Sequence, residues 1–273
     1  MSELPLTPTL FKLLSGFVEE KTGVHYAESG LDHFSAKVWA RLIGAGFASP
    51  LDYYYYLRYD AASAREFDAL VDELVVNETY FFREPDQLRS LCDDVVLPLV
   101  REGQRPRVWC AAASTGEEPL SVAMLLAEAG LLEKVEIVAT DISLKALACA
   151  RRGEHGPTAL RVAPKNLQER WMRVHDGRVT VAAQICERID WRRLNLLDEG
   201  AVASLGTFDA ILCRNVLIYF RDETIRRVVG TLSGALSVGG RLFVGASESL
   251  IRFGTSLHCQ ERNGAFSYFR TDP

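Results

Sequence analysis

The sequence predicts an α/β protein: a doubly wound Rossmann-like sheet with an N-terminal all-α domain and a small inserted antiparallel β-subdomain. Three observations predict it. Apolar residues recur at helical spacing through roughly the first eighty positions. From residue 107 short apolar runs alternate with helical stretches, and one interval among them carries a hairpin signature.

In the first part, Leu10, Leu13, Leu14, Phe17 and Val18 fall on one helical face, and Gly23 stands where a helix-ending glycine belongs. Phe34, Val38 and Leu42 mark a second helix, stopped by Gly44, Ala45 and Gly46. Ser49 suits an N-cap with Pro50 at the first helical position, opening a third helix through Tyr53 to Tyr59. Phe67, Leu70, Val71 and Leu74 give a fourth. Packing accounts for the run of four tyrosines at 53–56 better than an aromatic ligand cage does.

Residues 107–113, 135–141, 207–215 and 240–245 read as buried strands, with helices at 117–129, 143–152 and 222–237 between them. Within 166–191, Asp176-Gly177 is a strong hairpin turn flanked by Val174 and Val181. The expected organisation is a helical domain and linker over 1–83 and a sheet domain over 84–273, with the β-subdomain inserted at about 166–191.

Composition narrows the function classes. Hydrophobic content of 48% and charged content of 25% are those of a soluble globular chain. The net charge of −5 sits in residues 1–75, where six bases face eleven acids, and the remainder is balanced. Neither part has the basic excess that a nucleic-acid partner demands. No run of about 18 apolar residues exists, and Met1 to Pro5 lack a secretory n-region, so the expectation is a cytoplasmic protein without membrane insertion. The six cysteines include no C-x-x-C pair, which argues for reduced thiols and against a metal site. Surface or turn roles suit all five histidines.

The first site candidate is Ala111 to Pro119, directly after the first strand. Small residues and Gly116 allow close backbone approach to a ligand, and Pro119 suits the first helical turn. Alone, this segment reads better as an ordinary helix start whose acids favour the helix dipole. There is no G-x-G-x-x-G, and Glu117 and Glu118 would repel a pyrophosphate. Asp141 ends the next strand, placed to accept hydrogen bonds from ribose hydroxyls, although it could serve as a helix cap. Together the two features favour an adenosine cofactor without phosphates, of which S-adenosylmethionine is the common one.

Six motifs then occur in one order: Asn77-Glu-Thr-Tyr-Phe-Phe-Arg-Glu84, Ala112-Ala-Ser-Thr-Gly-Glu-Glu-Pro119, Ala139-Thr-Asp-Ile-Ser143, Asn195-Leu-Leu197, Cys213-Arg-Asn-Val-Leu-Ile-Tyr-Phe220 and Gly245-x-Ser-Glu248. In this register the chain strongly resembles the chemotaxis receptor glutamate methyltransferases (the CheR family) over nearly its full length. The resemblance implies a methyltransferase sheet binding S-adenosylmethionine and releasing S-adenosylhomocysteine. It implies that Asn77, Thr79 and Arg83 wall the cofactor pocket, that Glu118 and Asp141 hold its amino-acid or ribose portions, that Asn195 and Leu196 line the adenine side, and that Arg214 and Asn215 form the floor. It implies catalytic positions at Arg83 and at Tyr219, near the transferred methyl. The implied substrate is the γ-carboxylate of glutamates on the cytoplasmic helical bundle of a methyl-accepting chemoreceptor, faced by the N-terminal helices and the β-subdomain.

Lys37 and Arg41, four apart on the second helix, are a docking candidate or a solvated face. The chain departs from the family at Ala246, where a histidine is usual, at His155, where an aromatic residue is usual, and in a short hairpin at 174–181. Two competing readings are a methyltransferase for another protein carboxylate or a small molecule, and an S-adenosylmethionine-binding sensor or scaffold without turnover. A nicotinamide dehydrogenase is disfavoured by the missing glycine fingerprint.

Overall fold

The computed structural model describes residues 6–271, so the N-terminal reading at Met1 to Pro5 lies outside the described residues. The chain divides into two compact units, Met1–Val76 with Tyr219–Thr224, and Asn77–Ile218 with Ile225–Pro273.

The first unit holds α1 (Pro8–Thr22), α2 (Leu31–Gly44), α3 (Pro50–Tyr59) and α4 (Ala64–Leu74). Local chemistry fixes their ends, at Ser49 and Gly23 as the sequence foretells. The Leu10 N–H donates to Thr7 Oγ1, the Asp52 N–H donates to Ser49 Oγ, and Gly23 ends α1 in the left-handed conformation. Leu14, Phe34, Val38, Leu42, Tyr53, Leu70 and Leu74 form its core. Residues 219–224 return to this unit. The His25 N–H donates to the Tyr219 carbonyl at 2.8 Å, and Val24 bridges Phe220.

The second unit begins with α5 (Pro85–Ser90), a π-helical turn (Leu91–Val96) and α6 (Leu97–Arg101). Then come β1 (Arg107–Ala111), α7 (Glu117–Glu128), β2 (Glu136–Asp141), α8 (Leu144–Arg152), β3 (Glu154–His155) and α9 (Lys165–Trp171). β4 (Met172–His175), β5 (Arg178–Val181), α10 (Ala183–Cys186), β6 (Ile189–Arg193), α11 (Glu199–Ser204) and β7 (Phe208–Cys213) follow. The chain closes with α12 (Asp222–Gly234), β8 (Leu236–Phe243), β9 (His258–Arg262) and β10 (Ala265–Phe269). The segment 77–83, expected as a linker, is bound into this unit: the Phe81 N–H donates to the Ala159 carbonyl and the Phe82 N–H to Ser121 Oγ.

The main sheet runs β6-β2-β1-β7-β8-β10-β9, parallel from β6 to β8 and antiparallel beyond. The strand order reverses between β1 and β7, the switch point where open α/β sheets bind ligands beyond their carboxyl ends. The register aligns those ends: Ala111 lies opposite Thr140 and Cys213, and Asp141 lies opposite Arg193. Fully buried Trp109 and Phe208 pack on each other, and Trp109 Nε1 donates to Thr140 Oγ1.

The second sheet, β3-β5-β4, is the expected antiparallel subdomain with different limits. It recruits Glu154–His155 as a third strand. Ile189–Arg193 instead pairs with β2, because its buried Ile189 and half-buried Trp191 alternate with exposed residues as an edge strand's do. Among the described residues no helix is long and apolar enough to cross a membrane.

Gly116 caps α7 at φ +94°, and a Cβ there would lie 2.7 Å from Ala150 Cβ and 2.8 Å from Trp191 Cη2. Gly116→Ala should therefore lose about 2–5 kcal/mol, from left-handed strain of about 1–2 kcal/mol and overpacking of about 1–3 kcal/mol. Chemical denaturation checks this, and a loss under roughly 1 kcal/mol would contradict it.

Candidate functional site

Beyond β1 the backbone turns left-handed at Ala112, Ser114 and Gly116. This curls the loop around the end of β2. The Ser114 N–H donates to Asp141 Oδ2 at 2.7 Å, and the Ser143 N–H to Asp141 Oδ1 at 2.8 Å. Two amides thus fix the direction of this buried carboxylate. The Ser114 hydroxyl donates to Asn77 Oδ1 at 3.2 Å, joining the expected wall to the same loop. Thr79 is half-buried beside it in sequence.

A charged cluster sits beyond β7. Arg214 is almost wholly buried and bonds Glu118 Oε2 at 2.7 Å, Glu84 Oε2 at 3.2 Å and the Arg83 carbonyl at 2.6 Å. Its Nε has no hydrogen-bond partner among the described residues. Burial pushes the Glu118 carboxyl above the ordinary carboxylate range, and the Arg214 guanidinium pulls the other way. Arg83 Nη1 donates to the Glu78 carbonyl at 3.4 Å, and its guanidinium lies over the Tyr80 ring.

Asn215, also left-handed at φ +58°, follows Arg214. Its N–H donates to Glu248 Oε2 at 2.6 Å, and its amide nitrogen lies 3.5 Å from Glu84 Oε1. Asn195 and Leu196 follow β6, where Asn195 Oδ1 accepts the Leu197 N–H and Leu196 is buried.

Seven described non-glycine residues have positive φ, and two of them, Asp176 and Asn263, sit in hairpin turns. The other five, Phe82, Glu84, Ala112, Ser114 and Asn215, are the residues just described or their chain neighbours. Such conformations cost about 1–3 kcal/mol each, and their concentration at the switch point marks a functional site.

Sequence reasoning left Glu84 and Glu248 outside the site, although both stand in the quoted motifs. Their long-range amide partners were invisible in one dimension. It also misjudged His155. That ring is buried, packs edge-on against Phe81 and lies 3.1 Å from a carboxylate oxygen of buried Glu117. β3 carries it inward opposite Val179, so it is neither a surface nor a turn residue.

Two other expectations fall in the helical unit. Tyr219 belongs to the returning segment, anchored through its carbonyl. Lys37 Nζ donates to the Leu74 carbonyl, and Arg41 makes a two-pronged pair with Glu66 at 2.7 and 2.6 Å, so both reach onto α4.

The site offers fixed carboxylates, a buried guanidinium and curled backbone, and no activated thiol. Burial pushes Cys110 and Cys213 far up and Cys92 to about 12. These thiols stay protonated and are poor nucleophiles at neutral pH.

Comparison with known proteins finds relatives over most of the chain. The family described as CheR methyltransferase, SAM binding domain, matches residues 77–263. The Chemotaxis protein methyltransferase 2 of Vibrio cholerae serotype O1 is 33% identical, covering 99% of this chain and 96% of its own. Chemotaxis protein methyltransferase 1 of Pseudomonas aeruginosa is 35% identical, covering 88% and 90%. The Chemotaxis protein methyltransferase of Escherichia coli K12 is 33% identical, covering 90% and 86%.

Proposed function

The chain belongs to the CheR methyltransferase family and is an S-adenosylmethionine-dependent enzyme, and from that premise we propose that it forms methyl esters on glutamate γ-carboxylates of a bacterial chemoreceptor's cytoplasmic helical bundle. The observation that carries this reading is the end-to-end likeness to proteins named chemotaxis protein methyltransferase. The enzyme would work in the cytoplasm, where that bundle lies.

The residues fit the cofactor. The Asp141 carboxylate, aimed by two amides at the end of β2, would accept hydrogen bonds from the ribose hydroxyls. The buried Arg214 Nε is a donor that the cofactor's carboxylate would satisfy, and Glu118 lies on the same guanidinium. Asn77 and Thr79 would form the wall, Asn195 and Leu196 the adenine side, and Asn215 the floor. When bound, the cofactor supplies an electrophilic methyl on a positively charged sulfur.

A glutamate acceptor has a reference pKa of about 4.3 and is already ionised at neutral pH. It needs no general base, which suits a site whose thiols are held protonated. The protein's task is to align carboxylate and methyl and to exclude water. Tyr219 would stand beside the transferred methyl.

Arg83 has a bounded role. Charges on carboxylate and sulfonium cancel as the methyl moves, so a tight Arg–carboxylate pair would favour the ground state over the transition state. Arg83→Ala should therefore weaken cofactor or receptor binding and leave the single-turnover rate at saturation within about threefold. A large rate loss at wild-type affinities would defeat this account.

The whole proposal is tested by incubating the protein with radiolabelled S-adenosylmethionine and membranes carrying candidate receptors. Base-labile label on a receptor band is expected. Cofactor binding with no labelled product across a full receptor panel would overturn it.

A further inference from the structure

The motif Gly245-x-Ser-Glu248 has no part in the cofactor set described above, yet its carboxylate is among the most heavily bonded groups in the sheet unit. Glu248 is 6% exposed. Its Oε2 accepts the Asn215 N–H at 2.6 Å and the Gly245 N–H at 2.7 Å, while Oε1 accepts the Ile218 N–H at 3.2 Å. Three amides from two loops thus converge on one side chain.

We infer that Glu248 is a positioning residue of the methyltransferase site: its buried carboxylate sets the backbone of residues 215–218, and through it the floor residue Asn215 and the residue next to Tyr219. The inference rests on the roles of Asn215 and Tyr219 proposed above. Asn215 is held left-handed, a conformation that needs external bonds to persist, and the shortest of these is its amide to Glu248. Ile218 immediately precedes Tyr219, so the second carboxylate oxygen fixes the chain where the acceptor-side residue begins.

Gly245 shows how tightly the carboxylate is seated. A Cβ there would lie 2.5 Å from Asn215 Nδ2 and 2.8 Å from Glu248 Oε2, with backbone outside the left-handed region. Only glycine lets the two loops close on the carboxylate. Hydrogen bonds to a charged group are the strong ones, and truncating one partner strands the other groups in a dry interior.

The experiment measures S-adenosylhomocysteine affinity by calorimetry, kcat and receptor KM, and melting temperature, for the wild type, Glu248→Gln and Glu248→Ala. Glutamine retains one carbonyl oxygen able to keep the Asn215 and Gly245 amides, but presents an NH2 group to Ile218. The expected order of cofactor affinity is wild type, then Gln, then Ala, with the alanine variant weakened roughly tenfold or more. For the glutamine variant kcat falls more than cofactor affinity, and receptor KM is unchanged.

Folded Glu248→Ala with wild-type affinity and kcat overturns the inference, whatever its melting temperature. Should that variant fail to fold, Gly245→Ala decides. It keeps the carboxylate and crowds Asn215, so weaker cofactor binding is expected, and unchanged binding overturns the inference. Wild-type protein that binds S-adenosylhomocysteine and methylates no receptor sinks the acceptor reading instead, and the affinity series still decides on Glu248.

Discussion

Arg214→Met is expected to lower folding stability by about 3–5 kcal/mol, the usual penalty for stranding a buried charge, and to lower it more at pH 8 than at pH 5. The guanidinium serves Glu118, Glu84 and the Arg83 carbonyl at once, so its removal leaves two carboxylates and a carbonyl without their cation. The direction with pH follows from Glu118. Its carboxyl is already raised by burial, and losing Arg214 removes the main force holding it down. A group whose pKa is raised in the folded state contributes stability that is present below its unfolded value, about 4.3 for glutamate, and lost as pH rises through the folded value. The variant should therefore suffer least in acid, where Glu118 can take up a proton. Urea unfolding at the two pH values measures this, and an equal penalty at both would refute it. Adding Glu118→Gln to the variant should recover part of the loss at pH 8, since the stranded charge is gone.

The second large effect concerns the cofactor. Asp141→Ala should weaken S-adenosylhomocysteine binding by roughly 100-fold or more, about 3 kcal/mol, because charge-assisted hydrogen bonds contribute about 1.5–3 kcal/mol each. The side chain does two jobs: its oxygens hold the Ser114 and Ser143 amides, and the ribose would share them. Asp141→Asn keeps the shape and one acceptor oxygen, so it should fall between wild type and alanine. Calorimetric titration decides. Wild-type affinity in the alanine variant would remove Asp141 from the cofactor site.

Much of the fold was legible because burial on both faces gives parallel strands continuous apolar runs. β1, β2 and β7 read directly for that reason, and α1 to α4 read from their stripes and caps. β6 and β9 did not. Ile189–Arg193 and His258–Arg262 are edge strands whose sequences are charged and mostly exposed, so no apolar run announces them. The Asn263-Gly264 turn between β9 and β10, with both residues at positive φ, was a readable hairpin signal that went unused. α5 and α6 were missed because Pro98 and the π-helical turn break the 3.6-residue period.

The candidate site was legible only as motifs. Asp141 could be placed at a strand end by counting, but its capture by the Ser114 amide depends on left-handed backbone at non-glycine residues, which propensity argues against. The Arg214–Glu118 pair joins residues 96 apart in sequence, and nothing local to either predicts the other. His155 was misread because a lone histidine after a helix is ordinary at a surface. Only the pairing of β3 with β5 turns it inward.

The return of residues 219–224 to the helical unit has a consequence for dissection. The family match begins at residue 77 and contains Phe220, whose backbone partner Val24 lies upstream of it. A gene split at codon 77 would not separate the two units, because the first unit also takes the six residues Tyr219–Thr224 from beyond the split. Such halves are interleaved, not serial. They would have to be rejoined in trans, with the first fragment restoring to the second the bonds that hold Tyr219 and Phe220.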